Sequence, residues 1–222
     1  MHLTDIKSQI TAVCRKAGRN ADSVTLVAVS KFQPLEKIEA LLMQGHRVFG
    51  ENRVQEAGEK FTPAFRAKYP DLELHFIGHL QTNKTKDAVS IFDVIETVDR
   101  PELATALRHE MDRQKRELPC FIQVNTGDEE QKSGVAPKDL ASLFRFCKEQ
   151  AKLNITGLMC IPPLADIPDL HFALLHKLAG ELGLKQLSMG MSTDFDTAIK
   201  YGATHVRIGS ALFGARKNMD AA

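Results

Sequence analysis

Residues 24–34 read VTLVAVSKFQP: a seven-residue run rich in β-branched side chains, then Lys31, then a turn with no glycine. This stretch decides between two α/β architectures. An open, doubly wound sheet usually carries a glycine-rich phosphate turn directly after its first strand. Here SKFQP takes that place, which favours a closed barrel.

Working outward, seven further runs of the same kind follow: 46–50, 72–78, 92–98, 120–125, 154–160, 185–190 and 204–210. They are apolar at nearly every position, as expected of parallel strands covered on both faces. Helical periodicity occupies 34–45, 52–68, 82–91, 101–117, 137–152, 168–183 and 192–202, with a short turn near 210–214. Eight alternating strand–helix units predict a (β/α)8 TIM barrel, because parallel neighbours need right-handed crossovers and eight units close the ring. An amphipathic helix over about 4–17 precedes the barrel, and a frayed tail over about 216–222 follows it. The expectation is one domain over 1–222, a length ordinary for this architecture.

Composition narrows the function classes. With 29 basic and 28 acidic side chains the formal charge is +1, so nothing selects nucleic acid or an anionic membrane. No apolar run approaches the roughly 20 residues that span a bilayer, and the N-terminus lacks a signal-like apolar segment. Cys14, Cys120, Cys147 and Cys160 form no CxxC pair and read as buried thiols in a reducing, cytoplasmic setting. A small molecule is the expected partner, and a monomer the expected state.

Lys31 sits at the C-terminal end of the first strand, where such barrels collect their functional groups. Alternation puts Val27, Val29 and Lys31 on one side. If that side faces the barrel axis, a partly desolvated amine becomes a nucleophile for an aldehyde, although a lysine surfacing at a strand end is common. In THVRIGS (204–210), Val206 and Ile208 suit the helix layer, which turns Arg207 inward. A buried guanidinium needs an anion or acceptor, either a ligand or an internal carboxylate.

Gly209 and Ser210 open a short helix, and SMGMSTD (188–194) places Ser192 and Thr193 as the N-cap after strand seven. The loops after strands seven and eight are the recurrent phosphate site of this fold. At other rims, Asn52 either contacts a ligand or caps a helix, and His79 follows strand three. Lys132, in the polar stretch QVNTGDEEQKSG (123–134), reads as a solvated charge on a mobile loop. His75 and His79 lack the helical spacing of a metal pair, while His171 and His176 read as surface residues.

In order and spacing, LVAVSK, FGENRVQE, HFIGHLQTNK, the KSG after QVN, GLM, SMGMSTD and RIGSALFG resemble the YggS/PROSC-type pyridoxal phosphate homeostasis proteins, over about residues 24–216. The resemblance implies the PLP fold type III barrel, like the N-terminal domain of alanine racemase. It implies pyridoxal 5′-phosphate (PLP) held as a Schiff base by Lys31, with the phosphate at Ser192, Gly209 and Ser210 and Arg207 facing the pyridine nitrogen. Asn52, His79 and Met159 of GLM are counted among the implied cofactor contacts. Arg53 stands where many members have tyrosine.

Members are thought to carry or buffer the cofactor, with transient contact with PLP-dependent apo-enzymes in view. A guanidinium cannot protonate the ring, which makes the ring a weaker electron sink. Racemases of this type also need a base resembling a tyrosine from a further β-domain. Tyr69 and Tyr201 fall on outer helices here, and the chain ends after the eighth unit. A non-catalytic carrier is therefore expected. The alternatives are a PLP-dependent racemase or decarboxylase and a Schiff-base aldolase acting on a sugar phosphate.

Overall fold

The computed structural model describes residues 2–127, 129 and 131–214. The expected tail over 216–222 and two positions of the 123–134 stretch, 128 and 130, lie outside the described residues. Eight strands close into a barrel in sequence order: β1 (Thr25–Val29), β2 (Val48–Glu51), β3 (Glu73–Phe76), β4 (Val94–Val98), β5 (Pro119–Gln123), β6 (Asn154–Met159), β7 (Gln186–Ser188) and β8 (His205–Ile208). Every neighbouring pair is parallel. The ring shuts where β1 meets β8, with Val27 opposite Arg207.

Around the barrel lie α1 (Leu3–Lys16), α2 (Leu35–Met43), α3 (Val54–Lys60), α4 (Pro63–Lys68), α5 (Thr85–Ile91), α6 (Pro101–Gln114), α7 (Leu140–Arg145), α8 (Pro168–Glu181), α9 (Phe195–Lys200) and α10 (Ser210–Phe213). Strand alternation sorts the side chains into two layers. Leu26, Ala28, Phe49, Leu74, Phe76, Val206 and Ile208 join the helices in one large core. A separate small cluster of Val94, Phe121 and Met159 fills one side of the lumen. Burying a phenylalanine such as Phe49 or Phe76 fully contributes roughly 2–3 kcal/mol, so the outer layer supplies most of the driving force.

Three helices depart from their periodicity. The expected helix over 52–68 breaks at Thr62, whose hydroxyl accepts from the Phe65 amide at 3.2 Å, and Pro63 starts a new helix. Proline is pre-organised for the first helical turn but cannot continue a preceding one. The stretch over 137–152 is an α-helix that widens into a π turn over Phe146–Gln150. After β7 the helix begins at Phe195 with Asp194 as its N-cap, so Ser192 and Thr193 are not the cap. They are left in the turn before it.

Candidate functional site

Lys31 leaves β1 one step above Val29 and projects at the C-terminal mouth. Below it, Val27 points inward, since a Cβ built on Gly50 would lie 3.0 Å from Val27 Cγ1 and from Ile77 Cδ1. The backbone on either side of Lys31 is clamped. Lys60 Nζ donates to the Ser30 carbonyl at 2.8 Å, to Glu51 at 3.1 Å and to Glu56 at 2.6 Å. Ser30 Oγ donates to Glu51 at 2.7 Å, and the Phe32 amide donates to Glu56 at 2.5 Å. Phe32 holds a left-handed φ of 61°, a conformation a bulky residue keeps only when its surroundings impose it. Burial pushes the Glu51 carboxyl above the usual carboxylate range, against the pull of Lys60 and Ser30.

A cleft of about 300 Å³ opens at this mouth, and Lys31, Asn52, Ser192, Arg207, Gly209 and Ser210 all line it, with Val29, Ile77, Ile161, Met191 and Thr193. A second lobe shares Lys31 and Asn52 and adds His79, Asn125, Lys132 and Ser133. The structure thus brings six of the sequence-derived residues into one cleft and puts His79 in the adjoining lobe, where its Nδ1 meets Ser133 Oγ at 2.9 Å. Met159 lines neither lobe: it is fully buried with Val94 and Phe121, and Ile161, two residues on, is the neighbour that reaches the mouth.

On the far rim, the turn after β7 is closed by Asp194, which accepts from the Met191 amide at 2.5 Å. Beside it, a Cβ on Gly209 would come within 3.3 Å of the Val29 carbonyl and 3.4 Å of Val29 Cβ. This rim therefore offers small side chains, hydroxyls and approachable backbone, as an oxyanion requires.

Arg207 does turn inward, and it is only 4% exposed. Its Nη1 donates to Ser188 Oγ at 2.6 Å and its Nη2 to the Cys160 carbonyl at 2.8 Å. Ser188 Oγ donates in turn to Glu96 at 2.5 Å. The other Glu96 oxygen lies 2.6 Å from His75 Nδ1, and His75 Nε2 lies 2.8 Å from Glu73. Burial alone would lower His75, but the two carboxylates push it up to about 9. Burial would raise Glu96, yet His75 and Arg207 bring it to about 2. His205, stacked edge-on against Phe121, is lowered by burial to about 4.

Sequence reasoning missed this network and the clamp of Glu51, Glu56 and Lys60. The available signal was Glu96, a charge inside the strand run FDVIETV and in phase with inward Val94. Lys132 is exposed and pairs with Glu129 at 2.5 Å, as a surface charge does. One assignment needs correction. His171 is buried, bonded to Thr126 and Asp166, because α8 turns it beneath the β5–α7 segment. All four cysteines are free and buried, and burial raises each thiol, Cys160 and Cys147 to about 12. Among the described residues no cluster of three or more metal-ligating side chains occurs, and no helix is long and apolar enough to cross a membrane.

The profile of the family described as "Alanine racemase, N-terminal domain" matches residues 1–217. A pyridoxal phosphate homeostasis protein of Haemophilus influenzae is 40% identical, covering 97% of this chain and 94% of its own. That of Escherichia coli K12 is 37% identical, covering 97% and 95%. Among solved structures, PipY of Synechococcus elongatus with PLP bound aligns with a TM-score of 0.81 at 36% identity, covering 93% of this chain and 100% of PipY. An alanine racemase of Clostridium difficile shares the fold alone, with a TM-score of 0.70 at 13% identity and 59% of its length covered. On the similarity to the homeostasis proteins, which spans nearly their whole length, the chain belongs to the pyridoxal phosphate homeostasis protein family, on the barrel of the alanine racemase N-terminal domain.

Proposed function

We propose that this protein binds pyridoxal 5′-phosphate at the barrel mouth and carries or buffers it, without turning over amino acids. The observation that carries the reading is one cleft lined by an amine, a guanidinium and a small-residue polar rim. The residues fit the group. A Cβ on Gly209 would sit tightly against Val29, and Asn52 Oδ1, buried at the cleft, has no hydrogen-bond partner among the described residues. Such an orphan costs on the order of 1–3 kcal/mol until a ligand group meets it.

When bound, the cofactor supplies an aldehyde and a pyridine ring able to delocalise negative charge. Lys31 is the nucleophile for the aldehyde carbon, held on station by the clamp that grips Ser30 and Phe32. Ser192, Gly209 and Ser210 would receive the phosphate, and Ile77 and Ile161 would exclude water from the ring. Arg207 would face the ring nitrogen and, staying charged, would not give up a proton. The tyrosines serve no such site: Tyr69 and Tyr201 follow α4 and α9 and pack on the outer core. His79 and Lys132 edge the second lobe, which leaves an opening for handing the cofactor to apo-enzymes. We place this exchange in the cytoplasm, in keeping with four free thiols.

The test is a visible absorption spectrum of the purified protein, before and after borohydride, with the reduced adduct located by peptide mass. A yellow protein bleached by borohydride, with the adduct on Lys31, supports the reading. A protein that stays colourless with added PLP overturns it, and amino-acid turnover abolished by Lys31→Ala overturns its non-catalytic part.

A further inference from the structure

The lumen holds a line of charge that ends at Arg207. Both nitrogens of the His75 ring face carboxylate oxygens, at 2.6 Å and 2.8 Å. Ionised carboxylates only accept, so both nitrogens must donate and the ring is an imidazolium. Glu96 thereby has one oxygen committed to His75, and the other accepts from Ser188 Oγ at 2.5 Å. A hydroxyl has one proton, so with that proton given to Glu96, Ser188 Oγ can only accept from Arg207 Nη1, which it does at 2.6 Å. Direction is fixed at every link, from half-exposed Glu73 to the guanidinium facing the mouth.

We propose that Glu96, acting through Ser188, is the positioning group that holds Arg207 as a fixed cationic donor toward the cofactor's ring nitrogen while keeping its own carboxylate away from that ring. The inference rests on the reading that Arg207 meets the ring. It extends that reading by assigning roles to Ser188, Glu96 and His75. A carboxylate facing a pyridine nitrogen stabilises its protonated form and makes the ring a strong electron sink. Glu96 is a carboxylate of the barrel interior that is fully buried and spent on two other partners, with the arginine on the side of the mouth. The same unit thus orients the ring and leaves its nitrogen without the carboxylate partner that favours protonation.

The test loads wild type, Ser188→Ala, Ser188→Thr, Glu96→Gln and Arg207→Ala with PLP labelled with ¹⁵N in the ring. It reads the ring-nitrogen shift and the rate of cofactor loss to a scavenging apo-enzyme. Wild type should show an unprotonated, hydrogen-bonded ring nitrogen. Removing one oxygen in Ser188→Ala should move that resonance and speed loss about five- to tenfold, the effect of one buried hydrogen bond. Ser188→Thr, which keeps the hydroxyl, should restore both. Glu96→Gln should move the resonance in the same sense. Ser188→Ala, the gentler change, decides the matter if Glu96→Gln does not fold. A resonance and release rate unchanged in Ser188→Ala but altered in Arg207→Ala overturn the inference and spare the reading beneath it. A resonance unchanged in Arg207→Ala, or no binding by wild type, overturns both.

Discussion

The two rims that face each other across the mouth are built in opposite ways. On the β1–β2 side, Lys31 stands in a segment gripped by charge, with Lys60 reaching Ser30, Glu51 and Glu56. On the β7–β8 side the described residues show no comparable cluster of charge: Asp194 closes one turn, a glycine lies against Val29, and Lys37 alone reaches the Phe213 carbonyl at 2.8 Å. A covalent anchor has one productive position, so its flanking backbone is worth fixing. An oxyanion is held by several modest donors, and these need room more than rigidity. On the proposed reading the difference separates capture from retention, and each rim can be broken alone.

The largest effect falls on the anchor. Lys31→Ala should abolish the borohydride-reducible adduct completely while the far rim still retains the phosphate, measured by absorbance and by equilibrium dialysis of PLP. Next comes the clamp. Lys60→Met leaves Glu51 buried without its cation, and removing one partner of a buried ion pair costs on the order of 3 kcal/mol. Urea unfolding of the cofactor-free protein should show that loss; a melt like that of wild type would mean the clamp is ornamental.

Beneath both rims, His75 and His205 titrate in opposite senses. The folded-state value of His75, raised from 6.5 to about 9, gives stabilisation that is full below pH 6.5 and fades as pH climbs toward 9. That of His205, lowered to about 4, gives stabilisation that is full above 6.5 and is lost as pH falls toward 4. Unfolding free energy against pH should therefore fall on the alkaline side by a few kcal/mol, and His75→Gln should flatten that flank. Smaller still, Gly209→Ala should push on Val29, costing about 1 kcal/mol of phosphate retention with the Lys31 adduct still formed. Met159→Leu, inside the lumen and away from both lobes, should change stability by less than about 1.5 kcal/mol and leave cofactor retention untouched.

Much of this was legible in the sequence, for reasons that also mark where legibility stops. Short, nearly continuous apolar runs divided by helical stretches fix eight units, and the alternation along THVRIGS is enough to turn Arg207 inward. Lys31 is visible because a strand announces its own end. By contrast, whether an inward residue lies at the mouth or a layer below depends on the stagger between strands, which one strand's pattern does not carry. Met159 and Ile161 differ by that one layer. The partners of Arg207 come from β7 and β4, 19 and 111 positions away for Ser188 and Glu96, and no local period links them. The break at Thr62–Pro63 was written in the chain as a cap followed by proline, yet apolar periodicity on both sides masked it.

Closure of the ring between its first and last strands has a consequence for biosynthesis. Val27 and Arg207 are neighbours only because β1 pairs with β8, so the amine emerges from the ribosome well before its counterpart. A nascent polypeptide lacking the final strand has a lysine but no finished pocket around it. On the proposed reading, cofactor capture waits for β8 to join β1, and peeling that strand away would open the pocket.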